Sequence, residues 1–573
     1  MTPDRFLEQF GYLADAPNGI AKLRELILQL AVRGKLVAQD PNDEPASVLL
    51  EKIRAEKERL VTQGKIKNTK PLPPIEPDEV PFDVPQSWAW ERFSRFVIEI
   101  ATGPFGSMVH KTDYVAGGVP LINPSHLIDG TVVADPNVSV SSSVAEKLAS
   151  YALKEGDIVM ARRGEMGRCA VVDQHSAGWL CGTGSFVLRF HEDVSRQYVI
   201  LLFLTPSVKK YLGGKSVGST MTNLNHGILL RMPVPFPPAP EQRRIVAKVD
   251  QLMSLCDELE AKKNQRTETH NRLVRAAHHP LTQARDHAEL QSAWRRIRGN
   301  FDQLHTTLDS VRTLRQTILQ LAVQGKLVPQ DPNDEPASVL LEKIRAEKER
   351  LVAEGKIKNT KPPPSIKPDE VPFGVPQGWA WVRFNALIDP SAPLSYGVLV
   401  PGPDTPTGVP FVRLGDLDIE SPAAQPSKRI SAEVEKQYER TRLAGGEILL
   451  GVVGSIGKLG LAPASWRGAN IARAVCRIQV SGFVTKRYVI RLLQSEFMQS
   501  VFHGDTRTLA QPTLNVGLIR NALVPVPPAR EQCQIVQKID QLLALCDELE
   551  AKIKAKESTA QHFAEAVVAE LAA

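Results

Sequence analysis

The sequence contains few cysteines, and they follow no metal-binding or disulfide pattern. Only six occur in 573 residues, and no two of them have CxxC spacing. They are Cys169, Cys181, Cys256, Cys476, Cys533 and Cys546. A chain of this length with so few cysteines is not held by a disulfide framework, and such thiols are typical of a reducing compartment.

Long apolar runs and a targeting segment are also missing. The longest compact apolar run, residues 199–204, is far too short to cross a bilayer. The N-terminal residues lack the basic and then apolar order of a signal peptide. Together with the cysteine usage, these absences predict a soluble protein of the cytoplasm.

The usual motifs of catalysis are absent as well. Residues 214–216 read Gly-Lys-Ser, like the end of a phosphate-binding loop, but Lys209 stands where that loop requires a glycine. Residues 123–125 lack the second proline and the aromatic residue of the amino-methyltransferase motif. The 12 histidines are scattered. We therefore expect no catalytic residues, no metal and no cofactor in this chain.

The positive charge is unevenly distributed. Residues 91–232 contain 14 basic and 12 acidic residues, and residues 382–523 contain 16 and 11, while the rest of the chain contains 40 and 41. The net charge of the whole chain is only +6. The positive excess therefore lies in two stretches, where a footprint for phosphate groups would be sought.

What the sequence does contain is a long internal repeat. Residues 27–90 align with residues 318–381 at an offset of 291, without a gap, and 55 of 64 positions are identical. Residues 241–262 match residues 531–552 at an offset of 290, with 16 of 22 positions identical. A period near 290 is too long for a solenoid, so the chain is a duplicated domain with its connector.

Between the repeated blocks lie two segments of similar length, 91–232 and 382–523, whose sequences have diverged widely. Near-identical arms indicate two equivalent surfaces for one kind of partner. Diverged middles indicate two modules that recognise different things. The alternative is a recent duplication whose arms have not yet drifted, but drift alone would loosen the arms and the middles together.

Helical spacing recurs in the repeated arm. Residues 20–31 predict one helix and residues 48–61 predict a second. Residues 71–85 are rich in proline and predict an extended, semi-rigid connector. We expect Trp88 and Trp90 to anchor the following domain by packing into its core.

A long helix is predicted after each variable segment, beginning near Glu241 and Glu531. Apolar residues then recur in steps of three and four, the pattern of a coiled-coil seam. The seam residues are Val249, Leu252, Cys256 and Leu259 in the first copy, and Ile539, Leu542, Cys546, Leu549 and Ile553 in the second. The second seam is expected to continue through Phe563, and the first to break at Pro280. The matching cysteines are assigned to packing rather than to metal or redox chemistry.

The variable segments are predicted to mix strands and helices. A turn followed by a buried strand is predicted at residues 156–161 and again at 446–451. Further strands are predicted at residues 186–190 and 475–478, and amphipathic helices at residues 198–211 and 488–502. Asn225 and Asn515 each precede a short apolar run, which predicts a helix N-cap. A further helix is predicted before the second arm, from Leu304 through Leu308 to Ile318.

Several of these motifs carry a family resemblance. They are QLAVRGKLVAQDPNDEPAS at 29–47, PVPFPPAPEQRRIV at 233–246 and their second copies. Together with the two-copy layout, they resemble the specificity subunit of type I restriction–modification systems over nearly the whole chain. Residues 103–107 (GPFGS) resemble one subtype of target recognition domain, and 395–397 (SYG) with 408–410 (GVP) resemble another.

The resemblance implies an α+β fold with a pseudo-two-fold internal repeat. Two mixed α/β target recognition domains would be joined by long conserved helices that form an antiparallel coiled-coil spacer. We expect an N-terminal arm and linker at 1–90, recognition domains at 91–240 and 382–530, central helices with the repeated arm at 241–381, and a C-terminal helix at 531–573.

The resemblance also implies a function and partners. Each variable segment would read one half of a split, asymmetric target in double-stranded DNA, and the helices would set the gap between the halves. Two methyltransferase subunits would dock on the repeated surfaces, and a translocating restriction subunit would complete the nuclease. S-adenosylmethionine, ATP and magnesium would be cofactors of those partners, not of this chain.

Candidate DNA contacts follow from comparing the two copies. A positive charge in both copies suits phosphate positioning, which carries no sequence information. Arg168 and Lys458 are such a pair at the 290 offset. A basic residue replaced by an unlike one suits base reading, and Arg162 and Arg163 correspond to two valines in the second copy.

A loop in each copy supplies the other candidates. They are Lys215, Thr220, Thr222 and Asn223 in the first copy, and Arg507, Thr508 and Gln511 in the second. The alternative for each of them is an exposed loop residue that is simply solvated.

Two other functions are open at this point. A coiled-coil protein–protein scaffold with two divergent binding modules would explain the repeated arms, and the mild net charge allows it. An enzyme with an unfamiliar site in one variable domain would show turnover by the isolated chain. Salt dependence separates DNA binding from the scaffold, because counterion release makes DNA affinity fall steeply with salt.

Overall fold

The computed structural model describes residue 11 and residues 13–68, 71–104, 108–165, 167–215, 224–359, 364–504 and 513–572. The chain divides into two compact units. The first unit contains residues 1–266 and 556–573, and the second contains residues 267–555. None of the helices within the described ranges is long and apolar enough to cross a membrane.

The helices follow the two copies of the repeat. Those of the first copy are α1 (Gly19–Val32), α2 (Ala46–Thr62), α3 (Phe93–Phe96), α4 (Ser142–Lys147), α5 (Arg196–Leu204), α6 (Pro206–Lys215), α7 (His226–Arg231) and the long α8 (Ala239–Gln283). Those of the connector and the second copy are α9 (His287–Gly299), α10 (Phe301–Leu304), α11 (Leu308–Val323), α12 (Ala337–Ala353), α13 (Ala432–Lys436), α14 (Lys486–Gln494), α15 (Glu496–Gly504), α16 (Val516–Asn521) and the long α17 (Ala529–Ala572).

The first copy contains three sheets. Its strands are β1 (Ala89–Arg92), β2 (Val97–Thr102), β3 (Tyr114–Val115), β4 (Val119–Ile122), β5 (Leu127–Ile128), β6 (Thr131–Val132), β7 (Ser139–Val140), β8 (Ile158–Ala161), β9 (Cys169–Val171), β10 (Leu180–Cys181), β11 (Ser185–Phe190) and β12 (Pro233–Phe236). They form a pair β1-β12, a sheet β10-β4-β7-β3 and a sheet β2-β11-β8-β9-β6-β5.

The second copy repeats this plan with fewer strands. They are β13 (Ala380–Arg383), β14 (Ser395–Tyr396), β15 (Val409–Val412), β16 (Lys428–Ile430), β17 (Ile448–Gly451), β18 (Leu459–Leu461), β19 (Asn470–Ile471), β20 (Val475–Ile478) and β21 (Leu523–Val526). They form a pair β13-β21, a sheet β14-β20-β17-β18 and a sheet β16-β15-β19.

The diverged segments keep a common topology. Strands β4, β8, β9, β11 and β12 begin 290 residues before β15, β17, β18, β20 and β21, respectively. Helices α5 and α7 likewise begin 290 residues before α14 and α16. The mixed α/β prediction is therefore confirmed for both segments, and the side chains have changed on a backbone plan that has not.

The predicted amphipathic helices are interrupted in both copies. Residues 198–211 belong to α5 and α6, which meet at Thr205, and residues 488–502 belong to α14 and α15, which meet at Ser495. Both joining residues are extended, and their hydroxyls donate to the carbonyls of Leu202 and Leu492, respectively. The prediction of a single helix was wrong because the hydroxyl of each joining residue bonds to the carbonyl that the next amide of the helix would need. In the first copy, the next residue is Pro206, which has no amide proton to continue the helix.

Two other helix boundaries differ from the prediction. Helix α8 does not break at Pro280 but continues to Gln283, so the proline lies in its last turn. The helix expected to rise from Leu304 begins instead at Leu308, because the Thr307 side chain caps it by accepting from the Ser310 amide at 3.2 Å. Asn225 and Asn515 cap α7 and α16, as predicted.

The arm, the variable segment and the long helix meet at one buried glutamate in each copy. Glu241 accepts from Trp88 Nε1 at 2.9 Å and from Gln39 Nε2 at 2.5 Å. Beside it, Gln242 accepts from the Ser195 amide at 2.9 Å and donates to the Pro237 carbonyl at 2.9 Å. These contacts join the arm and the domain to the first turn of α8.

The second copy repeats these contacts. Glu531 accepts from Trp379 Nε1 at 2.9 Å and from Gln330 Nε2 at 3.2 Å, and Gln532 accepts from the Thr485 amide at 2.9 Å. Burial raises the pKa of Glu241 and of Glu531, against the lowering effect of their donors. The first tryptophan of each pair thus anchors the domain, as predicted, with a hydrogen bond as well as by packing.

In the first unit, the first seam packs on α1 and the end of α17. The seam residues lie in or against one core that also contains Leu23 on α1 and Leu571 on α17. Arg24 on α1 forms ion pairs with Asp257 and Glu260 on α8, at 2.7 Å each. The arm helix therefore occupies the seam of its own repeat.

In the second unit, the second seam packs on α11 in the same way. Arg315 on α11 forms ion pairs with Asp547 and with Glu550 (3.2 Å) on α17. The other side of α11 contacts the end of α8, where His278 Nδ1 lies 2.9 Å from Thr317 Oγ1. Each unit thus holds the start of one long helix and the end of the other.

The second seam does not continue through Phe563, contrary to the prediction. The Phe563 side chain is 63% exposed, and the neighbouring Ala564 is the buried residue. In the last part of α17, the buried position is therefore one residue later than predicted. Cys256 and Cys546 are buried in their seams, and burial raises the pKa of both thiols, which suits packing.

The core at the end of α8 contains a buried histidine. His278 is 3% exposed and lies in the layer of Val274 and Leu281, with the His305 ring 5.2 Å away. Burial, together with the smaller effect of the nearby His305, lowers the pKa of His278 to about 4. His278 is therefore neutral in the folded chain at a pH where a free histidine is protonated.

This core is expected to lose stability in acid. The unfolded state takes up the proton below its ordinary pKa near 6.5, so the free energy of unfolding falls as the pH drops from about 6.5 toward 4. We expect His278 to contribute on the order of 2 kcal/mol to this fall. Urea unfolding followed from pH 7 to pH 4.5 should show a shallower fall in His278→Gln, and an unchanged one in the exposed neighbour variant His279→Gln. Equal slopes in wild type and His278→Gln would contradict the assignment.

Candidate nucleic-acid interface

The loop ends of the first variable segment converge at one edge, which we call the first rim. It consists of residues 103–104, 123–126, 162–165, 182–184 and 224–225. Backbone hydrogen bonds hold it together: the Arg162 amide donates to the Gly184 carbonyl at 2.8 Å, the Leu224 amide to the Arg162 carbonyl at 3.0 Å, and the Gly182 amide to the Ile122 carbonyl at 2.8 Å. Segments far apart in the sequence therefore present their side chains together.

The second variable segment has a matching second rim. It consists of residues 397–400, 413–416, 452–458, 472–474 and 513–515. The Val452 amide donates to the Ala474 carbonyl at 2.9 Å, the Leu514 amide to the Val452 carbonyl at 2.8 Å, and the Ala472 amide to the Val412 carbonyl at 2.9 Å. These are the same three bonds as in the first rim, each displaced by 290 residues, so the two rims place their side chains on equivalent backbones.

A glycine is required where the first loop of each rim crosses its neighbour. A Cβ on Gly103 would lie 2.0 Å from the Gly182 carbonyl oxygen, and a Cβ on Gly397 would lie 1.7 Å from the Ile471 carbonyl oxygen. Both glycines belong to the subtype motifs noted in the sequence. Their role in the structure is close backbone approach.

Arg162 lies at the first rim, as predicted from the end of its strand, but its guanidinium is already engaged. Its Cζ lies 4.8 Å from the centre of the Phe186 ring, and its Nε donates to the Leu224 carbonyl at 3.3 Å. Burial lowers its pKa, and the adjacent Arg163 lowers it further. Arg163 itself is exposed. Of the two, Arg163 is the one whose side chain reaches solvent at the rim.

Arg168 and Lys458 occupy equivalent positions immediately before β9 and β18, as their common offset predicts. Each has a local partner. Arg168 forms an ion pair with Glu165 at 2.7 Å, which holds the pKa of that carboxyl below its usual value, and Lys458 Nζ donates to the Leu414 carbonyl at 3.1 Å. A phosphate contact by either residue would compete with these bonds.

The remaining candidates cannot be placed. Thr220, Thr222, Asn223, Arg507, Thr508 and Gln511 lie outside the described residues, and so does the side chain of Lys215. The segments that follow them are fixed at the rims. In the second copy, the Tyr396 hydroxyl donates to the Leu514 carbonyl at 2.7 Å and accepts from the Val516 amide at 2.6 Å.

One candidate at the second rim was missed by the sequence comparison. Arg473 is exposed, and no described residue forms an ion pair with its guanidinium or accepts a hydrogen bond from it. Its counterpart at the 290 offset is Thr183, between Gly182 and Gly184. Arg162 and Arg163 were selected because they are basic residues that correspond to unlike residues in the other copy. The same rule selects Arg473 when it is applied to residues that precede a strand as well as to those that follow one.

Among the described residues, no group of three or more histidine, cysteine, aspartate or glutamate side chains lies close enough to hold a metal ion. Burial raises the pKa of Cys169, Cys181 and Cys476 to about 12. Such thiols are poor nucleophiles near neutral pH, because the thiolate is the reactive form.

Comparison with known proteins gives a consistent result. A family model described as the type I restriction modification DNA specificity domain matches residues 97–269 and again residues 404–556. The chain is 36% identical over 562 residues to the type I restriction enzyme EcoAI specificity subunit of Escherichia coli, with 96% of this chain and 93% of the relative covered. It is 34% identical over 571 residues to the EcoEI specificity subunit of the same organism, with the same coverage.

A solved structure is also similar. The match is a chain from a study of complex assembly and conformational transition of the type I R-M system, with a TM-score of 0.46 and 17% identity. It covers 86% of this chain and 99% of that chain. The family assignment rests on the two sequence relatives and on the doubled family match.

Proposed function

The chain belongs to the specificity subunits of type I restriction–modification systems, and from that premise we infer that each of its recognition domains reads one half of a split, asymmetric DNA target. It is a non-catalytic subunit that directs a modification and restriction complex to its sequence. The recognition domains are assigned to residues 91–240 and 382–530. The restriction and modification chemistry then belongs to the partners.

One observation supports the proposal that each domain binds a different half of the target. The two rims share three backbone hydrogen bonds at matching positions, yet the side chains they present differ. Arg162 and Arg163 in the first rim correspond to Val452 and Val453 in the second, while Thr183 corresponds to Arg473. Two copies of one scaffold with unlike side chains at matching positions would bind unlike base sequences.

We assign the candidate residues as follows. Arg168 and Lys458 would exchange their local partners for phosphate groups and position the DNA. Arg163, with Arg162 behind it, would contact base edges of the first half-site. The polar and basic residues of the two loops would add contacts on each half: Lys215, Thr220, Thr222, Asn223, Arg507, Thr508 and Gln511.

The finer account of the partners is also a proposal. Two methyltransferase subunits would bind, one on each arm, and a restriction subunit would join them. S-adenosylmethionine, ATP and magnesium would be held by those subunits, and the complex would act in the cytoplasm, where its DNA is found. The long helices would set the gap between the two half-sites.

The exposed face of the repeated arm supports two identical docking surfaces. Packing accounts for the buried positions of α2, but Glu51, Lys52, Arg54 and Glu58 are exposed and are unchanged at the equivalent positions of α12. Folding alone does not require solvent-exposed side chains to stay the same in both copies. A common partner that contacts both helices would require it.

A pair of matched variants tests this docking surface. Arg54→Glu should remove one methyltransferase from the complex, Arg345→Glu on α12 should remove the other, and the double variant should bind neither. Native mass spectrometry of the co-purified complex would give the stoichiometry. Arg440→Glu, an exposed arginine outside the arms, serves as the control. A double variant that still carries two methyltransferases would exclude this face.

A protein–protein scaffold was the alternative function that the sequence alone allowed, and the salt dependence of DNA binding tests DNA reading against it. The full complex should bind its target duplex with an affinity that falls steeply between about 50 and 200 mM salt, by roughly a thousandfold if six or more phosphates are contacted. Random duplex should bind more weakly at every salt concentration. Binding of DNA that is weak, unselective and insensitive to salt would favour the scaffold.

A further inference from the structure

The backbone around Arg473 is held rigidly. The Arg473 amide donates to the Val398 carbonyl at 2.9 Å, and the next carbonyl, that of Ala474, accepts from the Val452 amide at 2.9 Å. Strand β20 begins one residue later. The Arg473 guanidinium, by contrast, forms no ion pair and no hydrogen bond with the described residues, and it lies near enough to Tyr396 to oppose the burial that raises the pKa of that hydroxyl. A fixed backbone thus presents the donor fork of Arg473 to solvent.

Two exposed aliphatic residues follow the backbone segment that pairs with the segment of this arginine. Leu399 is 53% exposed and Val400 is 71% exposed, the highest value among the exposed large apolar residues of the described chain. Val398, immediately before them, pairs with Ala472 in a parallel bridge. This pairing brings residues 399 and 400 next to Arg473 on the second rim.

The combination distinguishes between two kinds of DNA contact. A phosphate contact uses the charge of an arginine and gains nothing from neighbouring aliphatic groups. A base contact in the major groove uses both, because an arginine fork matches the N7 and O6 acceptors of guanine and an aliphatic group packs on the methyl of thymine. The second rim has both kinds of group exposed on adjacent backbone segments.

We propose that Arg473 reads a guanine in the half-site of the second recognition domain, and that Leu399 and Val400 contact the methyl group of a neighbouring thymine. The proposal deepens the DNA-reading function proposed above and rests on it. Thr183 takes the place of Arg473 in the first rim, so the first half-site is not expected to have a guanine read from this position.

Base analogues test the proposal in the full complex with its methyltransferase. Once the target is known, each guanine of the second half-site is replaced in turn by 7-deazaguanine, which lacks N7, and each thymine by uracil, which lacks the methyl. One 7-deazaguanine should weaken wild-type binding by about tenfold or more and should not weaken Arg473→Ala any further. One uracil should weaken the wild type and leave a Leu399→Ser/Val400→Ser variant unaffected.

The controls separate base reading from phosphate holding. Arg467→Ala, an exposed arginine of the same domain outside the second rim, should respond to every analogue as the wild type does. Arg473→Ala should bind the first half-site with unchanged preference. Equal weakening of target and random duplex by Arg473→Ala, or no change at all, would overturn the proposal while the split target stands. A wild-type complex with no preferred sequence would overturn the proposed function itself.

Discussion

Seven residues inserted into each long helix should lengthen the gap between the two half-sites by about three base pairs. The chain passes between its compact units twice, at residues 266–267 within α8 and at residues 555–556 within α17. Seven helical residues are about two turns and about 10.5 Å, and they keep the seam nearly in register. A rise of about 3.4 Å per base pair converts this length into the expected change in the gap.

The half-sites themselves should not change, because the insertions leave both rims untouched. Mapping of methylated bases in cells that express the variant with its methyltransferase would report the gap and both half-sites together. The same seven residues inserted after the exposed Gly64, in the arm, should leave the gap as it was. A changed half-site in the helix variant, or a gap of unchanged length, would show that the helices do not set the distance between the half-sites.

Trp379→Ala should destabilise the second unit by about 4 kcal/mol. Trp379 is 8% exposed and its indole donates to Glu531, which is itself 1% exposed. The substitution creates a cavity and removes one of two donors to a buried carboxylate, and both changes cost free energy. Because Glu531 also lies in the first turn of α17, the domain should loosen from its helix.

Urea unfolding of the full chain would measure this loss as a lower midpoint for one transition. Trp379→Phe keeps most of the volume but not the hydrogen bond, and should lose about 1–2 kcal/mol. Trp294 on α9 is 45% exposed, so the free energy of unfolding of Trp294→Ala should stay within about 0.5 kcal/mol of that of the wild type. A Trp379→Ala variant with the stability of Trp294→Ala would mean that this buried contact does not anchor the domain.

Much of the architecture could be predicted because the chain contains its own comparison. The two copies predicted the arms, the seam positions and the mixed α/β class, since burial every three or four residues leaves a periodic pattern. Where a single side chain determines the local structure, the periodic pattern does not predict it. Thr205 and Ser495 end helices with a hydroxyl, and Phe563 has the right spacing but faces solvent.

The candidate interface was harder to predict for a related reason. Comparing copies shows which residues differ, but not which of them are engaged by their neighbours. Arg162 differs between the copies, yet it stacks on Phe186 and bonds to the Leu224 carbonyl, a residue 62 positions away. Arg473 differs as well and forms no ion pair and no hydrogen bond with the described residues, but only the folded backbone shows that its segment lies next to that of Leu399 and Val400.

The most direct test of the split-target account is methylation mapping after co-expression with the methyltransferase partner. The account predicts one asymmetric motif whose two halves are separated by a fixed gap of unread bases. Exchange of residues 91–232 for those of a relative should replace one half and leave the other half and the gap unchanged. A single continuous motif, or a stable complex that methylates no defined sequence, would contradict it.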